Sequence, residues 1–151
     1  MARKIKIALD GLDEVVTATL AEDEAPEFAD ALWDELAEPV KMWTVQTVST
    51  GDWVLGRARP SKQAKALGTQ AVPLGHPVMM CDAGAGVVVY NGYQQLGFGY
   101  GPDVTEPLMT HGPIVARADD LDAFFRLGSR VCDSHFVTHK LAVVTVSRKG
   151  N

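Results

Sequence analysis

The chain has 151 residues, 46% of them hydrophobic, which suits one domain spanning residues 1–151 with an ordinary core. Its net charge of −5 and isoelectric point near 5.3 argue against a nucleic-acid surface, and no apolar run approaches the roughly 20 residues of a membrane-spanning helix. Two cysteines, Cys81 and Cys132, exclude a disulfide framework, and Met1 to Lys4 lead straight into Ile5, Ile7 and Leu9 with no signal-peptide core, so a cytoplasmic protein with free thiols is expected.

In chain order, the alternation from Lys4 to Leu9, the turn Asp10-Gly11-Leu12-Asp13 and the run Val15 to Leu20 predict a hairpin. Acidic Glu22, Asp23 and Glu24 ahead of Pro26 suit a helix start. Phe28, Ala29, Leu32, Trp33 and Leu36 then recur at helical spacing, which predicts a helix over 24–36. Met42 to Val48 and Asp52 to Leu55 read as a second strand pair joined through Ser49-Thr50-Gly51, and 57–75 as a surface loop. Strands follow at Val78–Cys81, Gly86–Tyr90 and Leu96–Tyr100, then a loop opening at Gly101-Pro102-Asp103. After a short strand at Ile114-Val115, Asp119-Asp120 caps a helix over 119–131, and Leu141 to Val146 closes as a strand.

Many short strands with two helices and no strand–helix alternation predict a mainly β protein, an antiparallel closed barrel flanked by helices. From Ala83 to Gly112 glycines alternate with aromatic residues. Glycine is costly in a strand, so the run points to close backbone approach or sharp bends, as around a pocket. Val87-Val88-Val89, Trp33 and Trp53 supply more apolar surface than one small barrel needs and predict a homo-oligomer.

The order of elements resembles the cyclophilin-like barrel, and more specifically a bacterial cyclophilin-like family of unassigned function related to the opine-forming cucumopine synthase. Glu24-Ala25-Pro26 resembles that family's helix start, and Gly97 to Pro102 its apolar strand ending in Tyr-Gly-Pro. Thr110-His111-Gly112 stands where the family has Asn-His-Phe. The family's Trp-Ser-Gly-Glu element is replaced by Ser49-Thr50-Gly51-Asp52, with Asp52 in the carboxylate's place and Trp43 or Trp53 left to fill the tryptophan's space. The resemblance implies a small-molecule enzyme that makes or opens a C–N or lactone-type ring without a redox cofactor. Prolyl isomerase activity is not implied, because the chain has no Phe-His-Arg run.

Among individual residues, His111 is placed to act as acid or base, or stands as an exposed loop histidine. Tyr100 at its strand end can hold a carbonyl or carboxylate oxygen, or pack half-buried. Asp52 can orient a histidine or take a proton, and after Thr50-Gly51 also reads as a turn residue. Trp43, Arg57, Asp82, Tyr93 and Glu106 complete the substrate-binding candidates; Arg57 and Arg59, two apart, could clamp a carboxylate, while Tyr90 and Tyr93 flank an Asn-Gly turn. His135 and His139, four apart, lack a third ligand nearby, so no metal site is assigned. Two readings result. Either His111, Tyr100 and Asp52 act on a polar carboxylated or cyclic amide-like metabolite by proton transfer, or the pocket only binds a ligand or partner.

Overall fold

The computed structural model describes residues 2–46, 51–58, 85–92, 95–104 and 114–150. Period-two alternation sets the first hairpin: β1 (Lys4–Leu9) buries Ile5, Ile7 and Leu9, and β2 (Val15–Leu20) buries Val16, Ala18 and Leu20. Six more strands follow: β3 (Val40–Gln46), β4 (Gly51–Ala58), β5 (Val87–Gly92), β6 (Gln95–Val104), β7 (Ile114–Ala118) and β8 (Ala142–Arg148). They close into a barrel in the order β1-β2-β7-β5-β6-β4-β3-β8, with every neighbouring pair antiparallel. The mainly β, closed antiparallel barrel with two helices is the architecture the sequence pattern predicts.

The helices cover opposite ends of it. Helix α1 (Pro26–Glu35) opens on a proline and buries Phe28, Ala29 and Leu32; Phe28 packs on Tyr90 of β5 with ring centroids 5.9 Å apart. Helix α2 (Leu121–Phe136) is capped by the Asp120 carboxylate, which accepts from the amides of Asp122 and Ala123. It buries Ala123, Phe124, Leu127, Gly128 and Val131, and Phe124 meets Phe98 of β6 edge-on at 6.1 Å.

Element boundaries differ in places from the sequence reading. Helix α2 continues past residue 131, where the helix was expected to end, to Phe136, because the Asp133 carbonyl accepts the amides of Val137 and Thr138 and makes the last turn. Strand β6 continues past Gly101-Pro102-Asp103, where a loop was expected, because the Asp52 carboxylate receives the Asp103 amide at 3.1 Å. Phe125 does not share the buried face of Phe124. It is 43% exposed, lying one residue off the buried stripe.

Strand β6 has two unlike faces. Leu96, Phe98 and Tyr100 point into the barrel, whereas Gly97 and Gly99 lie beneath the indole of Trp53; a Cβ on Gly97 would stand 2.0 Å from Trp53 Cζ2. The close approach expected of the glycine run is thus real, but at this place a tryptophan fills it, not a pocket. Trp53, Val87, Val89 and Val104 form a second buried cluster on the outer side, while Val88 joins the main core. Trp33 lies between two guanidinium groups, Arg3 at 5.3 Å and Arg148 at 4.6 Å from its ring centre. Trp53, Val87, Val88 and Val89 are thus buried within the chain, and Trp33 is partly buried. Among the described residues no helix is long and apolar enough to cross a membrane.

Asp119 ties β1 and β2 to the β7–α2 junction. It accepts from Lys4 at 2.8 Å, Thr17 at 2.8 Å and Thr19 at 2.6 Å. Desolvation pushes its pKa up, but the Lys4, Thr19 and Thr17 hydrogen bonds outweigh it and hold the value below the ordinary 3.8. A depressed carboxylate pKa stabilises the fold above the unfolded value and loses that contribution as pH falls through the folded one. Asp119→Asn should cost about 1 kcal/mol at neutral pH, and denaturant titrations should show the difference from wild type closing below about pH 3. Phe124→Ala should cost about 3–5 kcal/mol in the same measurement, and Phe125→Ala under about 1 kcal/mol.

Candidate functional site

The inward face of β3 changes character along its length. Val40 and Met42 are apolar, then Thr44 and Gln46 bring polar groups into the interior at the α2 end. A buried polar side chain is tolerated only where it is hydrogen-bonded, and both are. The Thr44 hydroxyl donates to the Ala142 carbonyl at 2.7 Å, and the Gln46 amide Nε2 donates to the Gly51 carbonyl at 2.5 Å. Gln46 Oε1 accepts from the Tyr100 hydroxyl at 2.7 Å. Sequence reasoning passed over Gln46; its signal was the inward row of β3 turning polar at its last two positions.

Helix α2 makes room for Tyr100 with a glycine. A Cβ on Gly128 would stand 2.0 Å from Tyr100 Cγ, so the ring lies flat against the helix backbone, with Phe125 beside it at 5.9 Å between centroids. Burial first, then the neighbouring Cys132 and Asp52, pushes ionisation of the Tyr100 phenol well above the ordinary tyrosine range. Tyr100 is consequently a neutral donor whose proton is directed at Gln46. It cannot serve as a phenolate base near neutral pH.

Asp52 stands at the rim of the same end, its carboxylate against Gly101 and bonded to the Asp103 amide. The β4–β6 register shifts between Gly51 and Trp53, and this hydrogen bond clamps that irregularity. Tyr100, Gln46 and Asp52 are thus brought to one end of the barrel. Trp43 and Arg57 are not. They face each other across β3 and β4 on the outer surface, Trp43 half-buried and Arg57 exposed. His111, Glu106, Asp82 and Tyr93 lie outside the described residues, as do Arg59 and Cys81. Cys132, near the Tyr100 ring, is a half-buried free thiol. Among the described residues, no three His, Cys, Asp or Glu side chains group as a metal site would require.

No family model matches the chain, and no curated protein does. Its fold, however, has a solved counterpart. The barrel is similar to that of McbB. The structure of McbB in complex with tryptophan superimposes with a TM-score of 0.75 at 23% identity, covering 97% of this chain. The chain spans 45% of the McbB chain, and at that identity the likeness establishes the shared fold.

The Tyr100–Gln46 bond is open to direct measurement. Tyr100→Phe keeps the ring against Gly128 but removes the hydrogen bond to the buried Gln46 Oε1, so unfolding should show a loss of about 0.5–1.5 kcal/mol. Gly128→Ala, which drives a methyl into the ring, should cost more than Tyr100→Phe in the same assay.

Proposed function

We propose that the chain is a small-molecule enzyme that closes or opens a C–N or lactone-type ring in a polar, carboxylated metabolite by proton transfer, without a redox cofactor. The observation that carries this reading is the confinement of buried polar chemistry to one end: Thr44, Gln46 and Tyr100 line the interior there, with Asp52 at its rim. The shared fold adds support, since McbB has been solved holding tryptophan, a carboxylated small molecule. The sequence resemblance to the cyclophilin-like family related to cucumopine synthase points to the same class of chemistry.

His111 is the proton carrier in this reading. In sequence it falls between β6, which ends at Val104, and β7, which begins at Ile114. Tyr100 is a positioning residue, holding the Gln46 carboxamide in one orientation, and Asp52 positions the rim. One observation favours the alternative of a ligand-binding barrel without catalysis: the Tyr100 hydroxyl and one Asp52 carboxylate oxygen are engaged in bonds internal to the fold.

The test is incubation with pools of amino acids, cyclic amides and lactones in heavy water, read by mass spectrometry for deuterium uptake or ring opening. An enzyme of this class should give a turnover that follows one ionisation near pH 6.5. His111→Ala should lower it roughly 10²–10⁴-fold with an unchanged melting temperature. Saturable binding of a pool member with no isotope exchange or mass change would establish the binding-only reading. Undiminished turnover in a folded His111→Ala protein would move the proton transfer to another group.

A further inference from the structure

Where α2 ends, the chain must reverse to enter β8, and the reversal builds a cleft of about 360 Å³. Its walls are chemically divided. Ser134, His135, His139 and Lys140 supply hydrogen-bond donors, whereas Val131 and Leu141 supply apolar surface. Among the described residues no carboxylate lines it, and Asp133, the nearest acidic residue in sequence, is not part of the wall. At the floor, Thr44 and Ala142 satisfy each other through the hydroxyl–carbonyl bond, so neither competes for a guest.

The backbone adds a second, independent observation. The amides of Val137 and Thr138 close on the Asp133 carbonyl and the amide of Lys140 on the Ser134 carbonyl, which stops the helix. This arrangement puts His139 at φ 55°, the one described non-glycine residue with a positive φ. Helix stops of this kind usually place glycine there, because a Cβ in the left-handed region is sterically unfavourable. Here an imidazole occupies the position and faces the cleft. The Asp133 and Ser134 carbonyls are already engaged by backbone amides, so these two do not call for the capping cation often found at a helix C-terminus.

We propose that this cleft is a binding site for a small monocarboxylate with an apolar or aromatic body. Lys140 neutralises the carboxylate, the two imidazoles and the Ser134 hydroxyl donate to its oxygens, and Val131 and Leu141 cover the body. The volume falls at the lower end of the range of small-molecule pockets. The proposed contacts to the guest do not use Tyr100, and Thr44 at the floor is the one described residue shared with the polar interior above, so the benzoate test does not depend on the function proposed there.

Sodium benzoate, titrated into ¹⁵N-labelled full-length protein, is the probe, with inorganic phosphate as the comparison. Benzoate should saturate, with amide shifts concentrated at Ser134, His135, His139, Lys140 and Leu141. Phosphate, lacking an apolar body, should bind at least tenfold more weakly. His139→Gly relieves the left-handed strain and should fold with an equal or higher melting temperature while weakening benzoate at least tenfold. Lys140→Gln should weaken it by a similar factor. Phosphate binding as tight as benzoate, shifts scattered away from the cleft, or unchanged affinity in a folded His139→Gly or Lys140→Gln protein would each overturn the site.

Discussion

Strand β6 carries large side chains on one face and none on much of the other, and the barrel is organised around that asymmetry. Leu96, Phe98 and Tyr100 fill the interior, while Gly97 and Gly99 leave a flat backbone surface on which the Trp53 indole rests. A large ring buried on the outside of a barrel needs backbone beneath it, because any Cβ would hold it off. The two glycines therefore give up strand propensity and chain entropy in exchange for a tryptophan that is 1% exposed. That contact fixes β4 against β6, and the Asp52–Asp103 bond continues the same pair past its irregularity. Glycine appears again where α2 crosses β6, at Gly128 over Tyr100. Close approach without a side chain is how this protein joins both its outer cluster and its helix to one strand.

The two ends of the barrel are closed by different chemistry. At the α1 end, Phe28, Leu32 and Leu36 pack with Tyr90, whose hydroxyl reaches outward to Glu35 at 2.7 Å. The polar atom there leaves the interior. At the α2 end the polar atoms turn inward: the Tyr100 hydroxyl meets Gln46 inside the barrel, and Thr44 meets a β8 carbonyl. Buried polar networks are favourable only when every member is satisfied, and they specify one arrangement when they are. The α1 end thus reads as a plug, whereas the α2 end reads as a built polar interior.

How legible this was in the sequence depended on which side chains faced which way. Period-two alternation located β1, β2 and β8, and the helical spacing of Phe28, Leu32, Phe124 and Leu127 located both helices, because each of those elements has one face in the core. Helix α2 was read short because its last turn is polar and exposed, with the stop set by backbone hydrogen bonds to Asp133 that have no side-chain signature. The glycine run signalled close approach correctly, yet what approached was Trp53, forty-odd residues earlier in the chain, and spacing cannot name a distant partner. Tyr100 and Asp52 were recognised as special, but their partners Gln46 and the Asp103 amide come from pairing across strands. Trp43 was grouped with them through the tryptophan of the resembled family, and Arg57 through its two-residue spacing from Arg59. The register of β3 against β4 sets that pair on the outer surface.

Closure of the barrel also determines where chemistry can reside. A closed sheet has no free edge, so its ladder consumes the backbone donors and acceptors of the strands. The interior polar side chains are then engaged in turn: Thr44 by Ala142, and Gln46 by Gly51 and Tyr100. Such groups hold a geometry well and are poorly suited to changing partners during a reaction. Groups that must take up a proton or a guest belong instead at the connections and helix ends, where partners can change without breaking the ladder. The cleft at the end of α2 fits that division of labour. Its donors stand on a chain reversal in which backbone amides already engage the Asp133 and Ser134 carbonyls, and His139 is retained at a left-handed position where glycine would fold at less cost. The barrel supplies rigidity, and its junctions supply the groups free to act.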